Sequence, residues 1–196
     1  EERVREISWI EHNTSYGKYN SFVKVDSNTY ALAFSGTSSD GFIQTFTIPT
    51  TGSSITKVTT VEHDNYNNYY YSIVQVDADT YIAAYHGYYS GYGAQIRTFT
   101  IPVDGSAVTT VYTLKHLSGS NQGYWNSLIA LDADTYVLAF MDSGSDGWLK
   151  SFTVSADGGT LIQVADLEHD TNGGGHNSLV KVDANTVALA YAGSGD

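Results

Sequence analysis

Four histidine-centred phrases divide this chain into near-copies of one another. Glu11-His12, Glu62-His63, Lys115-His116 and Glu168-His169 recur at intervals of 51, 53 and 53 residues. Each pair opens a polar, aromatic-rich loop, followed by the pattern Ser-x-Val/Ile-x-Val/Leu-Asp, a turn and a short apolar run. A fixed period near fifty residues marks a repeat architecture. One such unit cannot bury its apolar face alone and must stack against its neighbours.

Each copy contains four strand-like segments. The first covers residues 21–25, 72–76, 127–131 and 178–182, and begins on Ser21, Ser72, Ser127 and Ser178. A tight turn led by Asp26, Asp77, Asp132 or Asp183 follows, where a short carboxylate side chain can bond the local backbone. The second segment, 30–34, 81–85, 136–140 and 187–191, is apolar almost throughout, as in strands buried on both faces. The third, 42–48, 94–101 and 148–154, alternates polar and apolar and reads as half-buried. The fourth, 55–61, 108–114 and 161–167, is rich in Thr, which suits an outer, partly solvated strand. No stretch shows a helical period or a capped helix start, so the fold class is all-β.

Four strands per unit at this period define a β-propeller of four-stranded antiparallel blades. Every unit keeps His before the first strand, Ser at its start, Asp in the next turn and Thr just after it. This resembles the WD-repeat propellers, in which a His, a Ser/Thr and a turn Asp are hydrogen-bonded within each blade. The resemblance implies a structural polar network joining His12, His63, His116 and His169 to Asp26, Asp77, Asp132 and Asp183. No Trp-Asp pair is present, however. The chain is therefore identified as a β-propeller repeat protein of unassigned function, with lectin-like propellers as distant analogues.

The two ends do not match a whole number of blades. Residues 5–12 align with 56–63, so residues 1–11 read as a fourth strand, and residues 192–196 stop where a third strand would start. The sum is fifteen strands, about 3.75 blades, in a single domain or segment with units beginning near His12, His63, His116 and His169. A blade shared by both termini would hold 178–182, 187–191 and 7–10. Three arrangements stay open: a small four-bladed ring, a homodimer closing an eight-bladed ring through shared blades, or a segment of a longer array. Unpaired strand edges favour association. Position 1 is not Met, which reads as a processed end or a fragment boundary.

The formal charge of −12, from 21 acidic and 9 basic residues, argues against nucleic acid or anionic lipid as a partner, since both need a basic footprint. With no Cys, disulfides and thiol chemistry are excluded. No apolar run reaches a membrane-spanning length, so no membrane insertion is expected. The compartment stays open, with an extracellular or cell-surface setting favoured.

Ligand-binding candidates cluster in two loops that leave the same face of a propeller. The loop before the first strand places a ring at one equivalent position in every unit: Tyr19, Tyr70, Trp125 and His176. The loop between second and third strands adds Tyr88 and Tyr89, with Trp148 at the exit of its third copy. Such rings offer an apolar plane with a polar handle, suited to a sugar or peptide. The bland alternative is packing between blades. The acidic loop 142–147 has the wrong spacing for a calcium loop and reads as a turn. No metal and no cofactor are expected, and the repeated His residues read as satisfied core groups. No Gly-x-Ser-x-Gly, phosphate-binding glycine loop or two-His zinc motif appears. The expectation is a non-catalytic binding or adhesion module, recognising a glycan or protein surface through the aromatic face. The alternative is a purely structural repeat segment or protein-interaction scaffold of a larger surface protein.

Overall fold

The computed structural model describes residues 6–87, 93–119 and 122–194. The first sheet consists of β1 (Lys18–Lys24), β2 (Thr29–Ser35), β3 (Gly41–Thr47) and β4 (Thr56–Asp64) in that order, with a single 3-10 turn at Thr37–Ser39. The second contains β5 (Asn68–Gln75), β6 (Thr80–Gly87), β7 (Gln95–Thr100) and β8 (Thr109–Lys115). The third contains β9 (Tyr124–Ala130), β10 (Thr135–Met141), β11 (Gly147–Val154) and β12 (Leu161–Asp170). A final pair, β13 (Gly175–Asp183) and β14 (Thr186–Ala192), begins a fourth sheet. Every pairing is antiparallel between consecutive strands, and no α-helix occurs among the described residues.

The sheets stand side by side as blades, joined through their first strands: β1 packs on β5, β5 on β9 and β9 on β13. Because each blade is sandwiched, its second strand is apolar on both faces and β6 is buried along its whole length. Separate cores fill the three junctions. Val25, Ala31 and Ile43 meet Ile73, Tyr81, Phe99 and Ile101 at the first. Ile82, Ala84 and Ile96 meet Leu128, Tyr136, Phe140 and Phe152 at the second. Val137 and Ala139 meet Leu179 at the third. Burying one such large side chain contributes about 1.5–3 kcal/mol.

The repeated serines fasten one blade to the next. The backbone N–H groups of Ile73, Leu128 and Leu179 donate to Oγ of Ser21, Ser72 and Ser127, at 3.0, 2.9 and 2.9 Å. A second clasp lies further out, where Thr45 Oγ1 donates to the Gly105 carbonyl at 2.6 Å and Thr98 Oγ1 to that of Gly158 at 2.7 Å. Gly105 sits at φ 67°, a left-handed turn position that glycine occupies without a Cβ clash.

One expectation needs correction. The His–Asp network does not form. Asp132 accepts from the backbone N–H groups of Asp134 and Thr135 (3.1 and 2.8 Å), and Asp183 from that of Asn185 (2.8 Å), so these carboxylates cap their own hairpins. In the Asp26 and Asp77 turns the backbone N–H of the Asp donates to the Thr29 and Thr80 carbonyls, at 3.0 and 3.2 Å. The histidines lie at the opposite blade end, separated from the turns by a strand that spans roughly 25 Å. Fourteen strands occur among the described residues; the expected first strand, residues 1–11, lies partly outside them, and its described part, 6–11, forms no ladder. That segment nevertheless lies against the first sheet. Gln44 Nε2 donates to the His12 carbonyl at 3.1 Å, as Lys150 Nζ does to that of His116 at 2.9 Å.

Candidate functional site

Two places gather functional groups. The first is a series of rings crossing all four blades. Tyr19, Tyr70, Trp125 and His176 take φ values of 57°, 56°, 55° and 53°, a left-handed conformation that costs an ordinary residue about 1–3 kcal/mol. At each of them the ladder between a blade's first two strands slips register. This bulge turns the ring toward the neighbouring blade. Successive ring centroids lie 4.6, 4.7 and 3.7 Å apart. Asn126 and Asn177, one residue further on, brace the series. Their Nδ2 groups donate to Gly123 and Gly174 at 2.8 and 2.7 Å, and to the Tyr70 and Trp125 carbonyls of the preceding blade at 3.0 and 3.3 Å. Tyr71 and these two Asn complete the lining of a recess of 190 Å3. Burial, reinforced by the Tyr19 phenol, pushes the Tyr70 hydroxyl up to about 12.

Trp148 does not join this series. Its Nε1 donates to Asp142 Oδ2 at 3.1 Å and its ring packs on the second junction core. Asp142 Oδ1 meanwhile accepts from the N–H groups of Gly144 and Asp146 (2.8 and 3.0 Å), so the acidic loop uses its carboxylate to close a turn. No cluster of three metal-ligating side chains occurs among the described residues. Tyr88 and Tyr89 lie outside the described residues.

The second place, at the first junction, escaped the sequence reading. β4 ends on His63 and Asp64, and β7 of the next blade carries Gln95 and Arg97. Arg97 NH2 pairs with Asp64 Oδ2 at 3.1 Å and approaches Gln95 Oε1 at 3.4 Å. Its NH1 bonds the His63 carbonyl and lies 3.2 Å from His63 Nδ1, and its Nε donates to Thr113 Oγ1 at 3.0 Å. Tyr85 donates to Asp64 Oδ2 at 3.0 Å and lies 3.1 Å from Gln95 Oε1, while the Tyr71 hydroxyl lies 3.1 Å from His63 Nε2. Because a guanidinium only donates, Nδ1 of His63 accepts and Nε2 carries the proton toward Tyr71. Burial, then the Arg97 charge, holds the His63 imidazole well below its usual range, so it is neutral at pH 7. Burial raises both Tyr71 and Tyr85, and burial together with Asp64 raises Asp40 nearby. Gly41 leaves room for the imidazole, since a Cβ there would come within 2.9 Å of the ring. Glu62, Asn65 and Tyr66 complete a hollow of 320 Å3 over His63, Asp64 and Arg97.

A signal for this cluster was present in the repeat columns. Asp64, Tyr85, Gln95 and Arg97 occupy the positions of Leu117, Phe140, Trp148 and Lys150 in the next unit. Several columns change from apolar to polar together, and they meet in space.

The chain belongs to the family described as lactonase, seven-bladed β-propeller, whose model matches residues 3–191. Among solved structures, a putative 6-phosphogluconolactonase from Bacteroides uniformis is 13% identical with a TM-score of 0.59, over 89% of this chain and 50% of that one. A second putative 6-phosphogluconolactonase, from Bacteroides fragilis, is 13% identical with a TM-score of 0.58, over 76% of this chain and 39% of that one. A variant of NanB sialidase from Streptococcus pneumoniae is also 13% identical with a TM-score of 0.64, over 86% of this chain and 26% of that one. The chain thus spans half or less of these structures, and at such identities the likeness shows the fold. No curated protein matches the chain.

The β-propeller architecture therefore stands, whereas the WD-type pattern does not. Membership of a lactonase family also corrects the expectation of a non-catalytic binding or adhesion module with lectin-like carbohydrate recognition, and of a chain that is no enzyme. The motifs sought in the sequence are short and local. Any reacting groups in a repeat fold are spread over separate blades and leave no such string.

Proposed function

We propose that this chain forms part of a lactone hydrolase whose reacting centre is the hollow over His63, Asp64 and Arg97. The observation that carries the reading is the family match over residues 3–191. The choice of centre rests on chemistry: at this junction a neutral imidazole, a carboxylate and a guanidinium share one hollow. Opening a lactone requires water to add to the ester carbonyl carbon, the ring C–O bond to break and the leaving oxygen to take a proton. In this reading His63, unprotonated at pH 7 and held through Nε2 by Tyr71, accepts the proton from water at Nδ1 once Arg97 NH1 turns from that nitrogen to the substrate, and then passes the proton to the leaving oxygen. Arg97 faces the oxygen on which charge develops. Its contact to Gln95, at 3.4 Å, is the weakest of its bonds and the one a substrate oxygen displaces. Asp64 and Tyr85 hold the guanidinium in place.

The test is ring opening of γ- and δ-lactones of sugar acids, with and without a phosphate group, followed by acid release. Acceleration over buffer that disappears in both Arg97→Gln and His63→Gln, with the β-sheet circular dichroism intact, supports the reading. Folded protein that does not accelerate ring opening, or a rate indifferent to both variants, overturns it.

A further inference from the structure

We infer that the hollow over His63, Asp64 and Arg97 takes an uncharged hydroxylactone that carries no phosphate group. The inference rests on the lactonase reading of this site and adds the class of its substrate. All eight strands of the two blades that build this junction are present, so both walls of the hollow belong to this chain.

A phosphate monoester brings about −1.5 to −2 charges at neutral pH and three strong acceptor oxygens. Sites that hold one present spare cations, a helix N-terminus or a nest of free backbone N–H groups. This hollow has the opposite balance. Among the described residues lining it, two carboxylates, Glu62 and Asp64, face one cation, Arg97. His63 adds no charge at pH 7, because burial and then the Arg97 charge keep it unprotonated. Burial, then the Asp64 charge, raises the carboxyl of Asp40 nearby, so a third acidic group borders the same site. The segment 88–92, between β6 and β7, contains neither Lys nor Arg. Lys115, opposite Gln95 in the ladder, is exposed and does not line the hollow.

Arg97 is also fully engaged. Its five N–H groups face Thr113 Oγ1, the His63 carbonyl, His63 Nδ1, Asp64 Oδ2 and Gln95 Oε1. Bidentate binding of phosphate would draw two parallel N–H groups away and set a second anion beside Asp64. A lactone carbonyl asks for less. It replaces the contacts to His63 Nδ1 and Gln95 and leaves the Asp64 ion pair intact.

The remaining lining suits hydroxyl groups. Glu62 and Asn65 are both exposed, the first accepting hydrogen bonds and the second accepting and donating them. A carboxylate that accepts from a sugar hydroxyl repels a phosphate in the same place. At 320 Å3 the hollow lies near the lower end of ligand pockets, which run from roughly 300 to 1,000 Å3, and so suits a single ring.

Kinetics on one sugar lactone, with and without its phosphate, test the inference at pH 7 and low salt. The plain lactone should have a kcat/KM about tenfold or more higher, with the gap narrowing as salt is added. Glu62→Lys, at an exposed position, should raise kcat/KM for the phosphorylated lactone and shrink the preference. Equal or better turnover of the phosphorylated lactone, or a preference that Glu62→Lys leaves unchanged, overturns the inference while the hydrolase reading stands. A sugar lactam, which does not open, separates the two. Its binding, with and without phosphate, is read from the NMR signal of the Arg97 Nε–H. If no lactone is opened, the hydrolase reading falls, and binding of the plain lactam alone still supports the ligand class. Binding of the phosphorylated lactam as tightly as the plain one, or of neither, overturns it.

Discussion

The first and second junctions are built from the same columns of the repeat and reach opposite chemical solutions. At the first, Arg97, Asp64, Tyr85, Gln95 and Tyr71 form a buried polar network around His63. At the second, Leu117 and Phe140 replace the carboxylate and the phenol, and Lys150 donates to the His116 carbonyl and Gln163 Oε1 (2.9 and 3.1 Å). His116 there sits edge-on to Phe140 with neither ring nitrogen hydrogen-bonded. The scaffold therefore closes without an ion pair. A buried pair rarely stabilises a fold more than well-packed apolar groups of similar volume. The network at the first junction is thus not explained by folding, which supports the reacting centre proposed there.

Several measurements can break or sharpen this contrast. Removing one partner of the pair should have the largest effect. Arg97→Ala leaves the Asp64 carboxylate buried and unpaired and should lower the unfolding free energy by about 3–5 kcal/mol in urea titrations. Lys150→Ala strands no charge and should cost about 1–3 kcal/mol. Equal losses would erase the distinction between the junctions.

Acid should act next, and through both junctions. Burial, then Lys150, lowers the His116 imidazole to about 3, and His63 lies well below its usual range. Both are neutral when folded and protonate near pH 6.5 when unfolded. The unfolded state therefore binds more protons below pH 6.5, and stability is complete above that value and falls as pH drops toward 3. The loss should approach about 1.4 kcal/mol per pH unit for each such imidazole. His116→Phe should flatten the slope measured by thermal melting between pH 6 and 4, and an unchanged slope would remove His116 from the account.

A smaller change is expected when the first junction is rewritten as the second. The triple variant Asp64→Leu/Arg97→Lys/Tyr85→Phe should stay within about 2 kcal/mol of the parent, because no carboxylate is left unpaired and the new ammonium can still donate to the His63 carbonyl, as Lys150 does to that of His116. Lactone turnover should vanish all the same. A badly destabilised triple variant would mean that the network is needed for the fold. The smallest effects belong to the serine clasps, where Ser21→Ala and Ser72→Ala should each cost about 0.5–1.5 kcal/mol by denaturant midpoint. Similar values at both would show that the junctions differ in their side-chain network alone.

The architecture was legible because its cause is local and repeated. The buried second strands are apolar on both faces, the half-buried third strands alternate, and the Asp-led hairpins recur with each unit. The positions of Tyr19, Tyr70, Trp125 and His176 were legible as a column, since a periodic fold makes equivalent residues neighbours. Their left-handed backbone was not, because bulky residues rarely adopt it and the bulge that imposes it depends on the adjoining strand. The His-to-Asp pairing failed because it was carried over from a resemblance: His precedes the first strand and Asp follows it, so the strand's own length keeps them apart.

The number of strands per unit, their order and the identity of the core strands follow from the period and polarity of the chain, because each unit can bury its apolar face only against a copy of itself. The meeting of Asp64 with Arg97, 33 residues apart and in different blades, was decided by tertiary structure. Neither residue belongs to a local motif, and their proximity arises only when β7 of the second blade is stacked beside the end of β4.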